Sequence, residues 1–358
     1  MSSQYPHHDD EIDLRKLFKI LWQGKLTIIA FTIFFGGAGV IYALNAQQWW
    51  TAKAVITTPK VTDLVTFSQT VKRYQPAFDI YQPNGQVLSG EELDELTGQE
   101  EIFERFVEAF NANNNKREFF EQSDTFAELL NGFEIQLDDR VSYRLALQDW
   151  LGRMTANMSD KKNPNLITLV AESVTAETSL ALLNEYIFFV NAKVTDELMH
   201  DLKSTLQIKS NELTQQLESR RDLVAQQLRI EVAKAELAYR IANAAEIRKP
   251  VQNLNKKEVF AIDLGADALG EKVKVLKTLE DLSILDPNIA QLSNKLGALN
   301  RGLPKVDNLT LFTYLEEGEL PLSRDKPKRK WIVVLGILLG GMFGVAAVLV
   351  FRVTKLKE

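Results

Sequence analysis

The sequence predicts an α+β protein with two membrane-crossing helices and, in the domain between them, one very long protruding helix. Three observations carry this prediction. Leu26–Leu44 and Trp331–Phe351 are uncharged apolar runs of about 19 and 21 residues, each long enough to span a bilayer core. From Ala171 to Lys249, about 79 residues contain no glycine or proline in a chain with 18 Gly and 10 Pro. That stretch is rich in Ala, Leu, Glu, Gln, Lys and Arg, the strong helix formers. A single helix of that length would extend roughly 110 Å at 1.5 Å per residue, too long for a compact domain to enclose.

Residues 1–25 are polar and charged, and the first ten or so are expected to be disordered. Ile12, Leu14, Leu17, Phe18, Leu21 and Trp22 then recur at helical spacing among basic residues, the pattern of a helix lying at a membrane surface. The first span, 26–44, carries Gly36, Gly37 and Gly39. The extramembrane domain is expected over 45–330. It opens with Trp49-Trp50, suited to a membrane interface, and with a strand at Thr51–Thr58 that Pro59 ends. Turns are expected at Gln82–Gly85 and Ser89-Gly90, and a helix over Glu91–Phe110. The Asn-rich Asn111–Asn115 should break that helix before a second one over about 117–130, whose Phe119, Phe120 and Phe126 read as core. Val141–Gln148 and Leu166–Glu172 read as strands, with a turn at Asn163-Pro164-Asn165. With the strand after the first span they suggest a membrane-proximal mixed sheet.

The long helix is expected over about 175–249, with Thr175 as N-cap, Glu177 in the first turn and Pro250 as the stop. Its apolar stripe includes Leu213, Leu217, Val224 and Leu228. No second long helix is available to cover that stripe, so it is assigned to contacts between copies in a homo-oligomer. Gly265–Gly270 breaks one helical segment and opens another through about Ser283. Asp286-Pro287-Asn288 reads as a turn, Ile289–Leu299 as a helix closed by Gly302 and Pro304, and Asn308–Leu315 as a returning strand. Pro321 and Pro327 make Glu316–Lys330 a stiff, extended approach to the second span, 331–351. Within that span Gly336, Gly340 and Gly344 recur every four residues, with Gly341 beside them, a small-residue face that admits another helix closely. A short tail, 352–358, follows. Seven Lys or Arg flank the spans on each side, so charge leaves topology open.

Composition narrows the function classes. The net charge of −6 argues against a nucleic-acid binder, and the absence of cysteine excludes disulfides and thiolate metal sites. Three histidines leave little for a histidine-based active site. There is no phosphate loop, HExxH or GxSxG. The paired carboxylates (Glu91-Glu92, Asp138-Asp139, Glu316-Glu317 among them) read as solvated faces. No catalytic, cofactor or metal residue is assigned.

Two terminal motif sets identify a family. Asp10-Glu11-Ile12-Asp13-Leu14, then Leu21, Trp22, Gly24 and Lys25, and after the span Trp50-Thr51-Ala52-Lys53-Ala54, resemble the start of Wzz-type chain length determinants. Leu320-Pro321-Leu322-Ser323-Arg324-Asp325-Lys326-Pro327-Lys328, followed by the glycine-rich span, resembles the end of that family, although some members carry a third proline. Lys249-Pro250 and Leu264–Leu269 are similar to the O-antigen branch. The resemblance implies a non-enzymatic polysaccharide co-polymerase of the Gram-negative inner membrane, with both tails cytoplasmic and the large domain periplasmic. It further implies a ring, typically an octamer, that sets the modal length of lipopolysaccharide O antigen with the Wzy polymerase, and contacts with lipid and the growing lipid-linked glycan. The same architecture would serve enterobacterial common antigen or capsule. A two-span sensor would need a larger cytoplasmic output, and a glycan enzyme a carboxylate pair in a cleft.

Overall fold

The computed structural model describes residues 14–82, 84–133, 140–251, 260–302 and 309–355. The expectations placed on residues 1–13, on Asp138-Asp139, on Pro304 and on Asn308 lie outside them. In chain order, helices α1 (Leu14–Gln23) and α2 (Lys25–Asn45) precede strand β1 (Trp50–Thr57). Helices α3 (Val61–Lys72) and α4 (Gln75–Phe78) follow, then the short strands β2 (Ile80–Tyr81) and β3 (Val87–Leu88). Four helices come next: α5 (Gln99–Asn111), α6 (Asn113–Gln122), α7 (Asp124–Gly132) and α8 (Arg140–Leu151). A hairpin of β4 (Met154–Asp160) and β5 (Asn163–Ser173) leads into α9 (Ala176–Ala244). The chain closes with α10 (Gly265–Lys277), a 3₁₀ turn (Leu282–Ile284), α11 (Pro287–Leu299), β6 (Thr313–Glu316) and α12 (Arg329–Lys355).

The residues fall into two compact units. The first holds Met1–Thr57, Val107–Val190 and Thr313–Glu358. Its sheet has the order β4-β5-β1-β6. Every pairing in it is antiparallel, not mixed. Ala52, Ala54 and Ile56 of β1, with Leu169 and Ala171 of β5, are fully or almost fully buried. Phe110 and Phe119 of the same unit pack tilted against the Tyr186 ring, at centroid distances of 4.6 and 5.0 Å. The Tyr186 hydroxyl donates to the Phe110 carbonyl at 2.8 Å, so this buried phenol is satisfied. Burial raises its pKa.

The second unit holds Thr58–Phe106 and Asn191–Phe312. Leu64, Phe67, Val71, Val194, Leu198 and Leu202 are buried there. Phe106 meets Phe312 at 4.6 Å, and the Tyr74 hydroxyl donates to the Gly302 carbonyl at 2.7 Å. Asn191 donates to the Leu309 carbonyl at 2.8 Å, which holds the returning chain before β6.

Several local expectations are corrected. Val141–Gln148 is part of helix α8, not a strand. Its buried residues Leu147, Trp150 and Leu151 follow helical spacing, and only the β-branched start suggested a strand. The single helix expected over 117–130 is two helices. Ser123 interrupts it and caps α7 by accepting from the Phe126 N–H at 3.2 Å. Asn113–Asn115 lie in the first turn of α6, so the break is at Ala112. Glu91–Thr97 is turns, and α5 begins at Gln99. Asn163-Pro164-Asn165 lies in β5, and the turn is at Lys161-Lys162. The proline is tolerated because β1 pairs with β5 only from Ile167 onward and the β4 register is irregular there. Strand β4 had no clear signal. Its Met-Thr-Ala-Asn-Met sequence buries only Met154 and Ala156. The return strand starts at Thr313 rather than 308. Asp286-Pro287-Asn288 is the start of α11: Asp286 is its N-cap and Pro287 its first residue.

The long helix spans 69 residues, roughly 100 Å at 1.5 Å per residue. Thr175 caps it through an N–H bond from Thr178 at 3.1 Å. It ends six residues before Pro250, because Glu246 adopts a φ of 60° and Ile247 donates back to the Ala242 carbonyl at 2.9 Å. The exit then docks on α10, where Ala266 donates to the Ile247 carbonyl at 2.8 Å. Gly265 is required at that junction. Its φ is 77°, and a Cβ would lie 2.6 Å from the Arg248 carbonyl oxygen.

Candidate functional site

Helices α2 and α12 are long and apolar enough to cross a membrane, and they pack on each other antiparallel. A Cβ on Gly340 would lie 2.7 Å from the Phe31 carbonyl oxygen, and one on Gly344 2.7 Å from the Ile28 Cα. A Cβ on Gly336 would lie 2.9 Å from the Phe35 carbonyl oxygen, and one on Gly39 3.4 Å from the Ile332 carbonyl oxygen. Backbone approaches backbone over more than two helical turns, which only glycine allows. Phe35 and Phe343 stack at 5.3 Å beside the seam. Gly341 stands off it: a Cβ there would lie 3.9 Å from Thr32 Oγ1. The glycine face is thus filled by this chain's own first helix.

The proline-bearing segment is anchored at one end. Trp49 donates to the Lys326 carbonyl at 3.0 Å and accepts from the Asp325 N–H at 2.9 Å. The Lys326 ammonium meets Glu172 of β5 at 2.9 Å. Pro327 therefore follows a pinned residue, whereas Pro321 adjoins Leu322, which is 99% exposed. Glu316, Glu317 and Glu319 line an open hollow of about 810 Å³ with Pro321. Tyr314 nearby has its pKa raised, by burial first and by Glu317 second. The anchor at Lys326 was not read from the sequence. A lone lysine between an aspartate and a proline carries no signal for a partner 154 residues away.

The apolar stripe assigned to contacts between copies is occupied within the chain. Leu213, Leu217 and Val224 are at most 7% exposed, and Leu228 is half-buried. Leu217 and Val224 pack with Ile289, and Leu282, Leu292 and Leu296 close over them. Further along, Ala238 and Ala242 pack with Ala266 and Leu269. The short helices α11 and α10 thus cover Leu217 and Val224, and Ala238 and Ala242, from within the chain. A different stripe stays open. Ile208, Leu223, Ile230, Leu237 and Ile241 are each at least 37% exposed. At 100° per residue they share one face, on the side away from the buried one.

Among the described residues, no group of three His, Cys, Asp or Glu side chains could hold a metal ion. The carboxylates near Pro321 line an open hollow together with Thr51, Ser323 and Asp325.

The comparisons agree with this architecture. The family model described as "Wzz: Chain length determinant protein" matches residues 10–122. The chain is 28% identical over 351 residues to a protein of Escherichia coli (strain K12) named "Ferric enterobactin transport protein FepE", covering 95% of this chain and 89% of that one. It is 27% identical over 351 residues to the "Chain length determinant protein" of the same strain, covering 96% and 93%. A solved structure described as a full-length bacterial polysaccharide co-polymerase superposes with a TM-score of 0.62 at 25% identity, covering 97% of this chain and 98% of that one. With the paired terminal helices, the α+β unit and the long helix all present, this chain is similar over nearly its whole length to chain length determinants and to a polysaccharide co-polymerase structure.

Proposed function

We propose that the protein sets the modal length of lipopolysaccharide O antigen. It would act as a homo-oligomer, typically an octamer, in the Gram-negative inner membrane with its large domain in the periplasm. In this reading it holds or times the Wzy polymerase and meets the growing lipid-linked glycan, without catalysing a reaction itself. The observation that carries the reading is the end-to-end correspondence with the chain length determinant of Escherichia coli, across both apolar helices and the domain between them. The antiparallel pairing of α2 and α12 supports placing both tails on one side of the membrane. The open stripe from Ile208 to Ile241 supports self-association, because an exposed apolar helix face of that length is costly in water.

The test is the banding pattern of lipopolysaccharide from a strain deleted for this gene and then complemented. A modal cluster should vanish and return. A ladder unchanged in both strains, with the altered length appearing in enterobacterial common antigen or capsule, would reassign the glycan. No change in any surface glycan would overturn the function.

A further inference from the structure

In the second unit, α9, α11 and the residues around β2 enclose an open cleft of about 750 Å³. A second hollow of about 460 Å³ adjoins it and shares Tyr81, Gln291 and Lys295 with it. Both volumes lie in the range of ligand sites, roughly 300–1,000 Å³. Their continuity makes one elongated groove, a shape suited to several units of a chain rather than to one compact molecule.

The lining is cationic in a protein whose net charge is −6. Lys209, Arg220 and Lys295 face the cleft with one carboxylate, Glu212. Lys209 is paired with Glu212 at 3.0 Å, and Arg220 with Asp286. Lys295 makes no direct ion pair among the described residues, and the Asp79 and Glu212 carboxylates favour its charge only from a distance. It is half-buried and donates to the Asp79 backbone carbonyl, which leaves ammonium donors free. Burial, and then the neighbouring Lys209, hold its pKa below the usual lysine value. An incoming anion would relieve that repulsion.

The remaining groups narrow the ligand further. Tyr81 is 45% exposed, and its ring lies 5.5 Å from the Lys295 ammonium. Gln215, Gln216 and Gln291 line the same cleft. Each side-chain amide offers donors and an acceptor, which matches hydroxyl groups that also do both. An exposed aromatic face suits the apolar face of a sugar ring. We propose that this groove binds an acidic oligosaccharide, with Lys295 and Lys209 at its anionic group, the glutamines at its hydroxyls and Tyr81 under a ring. The choice of a glycan as the chain-like ligand rests on the functional reading above.

Titration calorimetry on the full chain in lipid nanodiscs tests this, with oligogalacturonate as the probe. Maltooligosaccharide and oligoglutamate of matched length serve as comparators. Oligogalacturonate should bind more tightly than either, and more weakly as salt rises. Lys295→Gln should weaken binding about tenfold, the scale of one charged hydrogen bond, with circular dichroism and particle size unchanged. Lys209→Gln should act in the same direction, as a second variant should the first perturb folding. Equal binding of oligoglutamate or maltooligosaccharide, or unchanged binding in both variants, would overturn the proposal. Binding lost in Lys295→Gln with an unaltered glycan ladder in cells would support the groove and count against length control. Binding unchanged would remove the groove and leave length control standing.

Discussion

The guanidinium of Arg153 lies 3.5 Å from the centroid of the Trp49 ring. The same group meets Asp149 at 2.6 Å and Glu172 at 3.6 Å. Trp49 in turn holds Asp325 and Lys326 by backbone bonds. One arginine thus ties the hairpin entrance, the start of the sheet and the segment leading to α12. Arg153→Ala should lower stability by about 1–2 kcal/mol, and Arg153→Lys by less than the alanine but not zero, since lysine lacks the planar fork. Thermal melts of the purified protein measure this. Equal melting temperatures for all three would mean the cluster contributes nothing.

The glycine seam makes a positional prediction. Gly340→Leu should push α2 and α12 apart, because even a Cβ there lies 2.8 Å from the Thr32 Cα. Gly341→Leu should be mild, its site being open to 3.9 Å. The chain has no cysteine, so oxidative cross-linking of Gly36→Cys to Ile337→Cys reports the seam without background. Cross-linking should fall severalfold in the first variant and persist in the second.

On the long helix, the two faces should behave differently. Val224→Asp buries a charge between α9 and α11 and should cost about 3 kcal/mol or more. Faster hydrogen exchange across Pro287–Leu299 would report it. Ile230→Asp, on the open face, should leave that exchange unchanged and reduce particle mass in detergent. An unaltered mass would remove the open stripe as a surface between copies.

Asp286 couples α11 to the long helix through Arg220 and caps α11 by accepting from the Asn288 N–H at 3.0 Å. The Arg220 hydrogen bond, more than any other contact, lowers its pKa below 3.8. A depressed carboxylate stabilises the fold above its unfolded value and loses that contribution as pH falls through its folded value. Proteolytic nicking near α11 should therefore rise below about pH 4 in the native protein. Asp286→Asn should be nicked more readily at neutral pH and show less pH dependence.

Lys116 is 4% exposed, and burial lowers its pKa from 10.5. The charged form is therefore disfavoured in the fold, a penalty present at neutral pH and relieved as pH rises toward 10.5. Lys116→Met should stabilise the protein by about 1 kcal/mol at neutral pH, with the difference shrinking in alkali. Denaturation midpoints at two pH values check it.

Features set by local chemistry were legible in the sequence. The two apolar spans needed only length and hydropathy, the long helix only the absence of Gly and Pro, and β1 and β5 only their β-branched runs. The spacing of Gly336, Gly340 and Gly344 likewise marked a close helix contact before any partner was known. The tertiary structure alone decided which partners meet. It matched the glycine face to Phe31, Phe35 and Ile28, joined Lys326 to Glu172, and covered Leu217 and Val224 with Ile289. It also made α8 a helix, because burial of Leu147, Trp150 and Leu151 outweighed a β-branched beginning. The groove around Tyr81, Lys209 and Lys295 was invisible for the same reason. Periodicity records which residues must leave water, whereas the identity of what they leave it for depends on contacts between residues far apart in the chain.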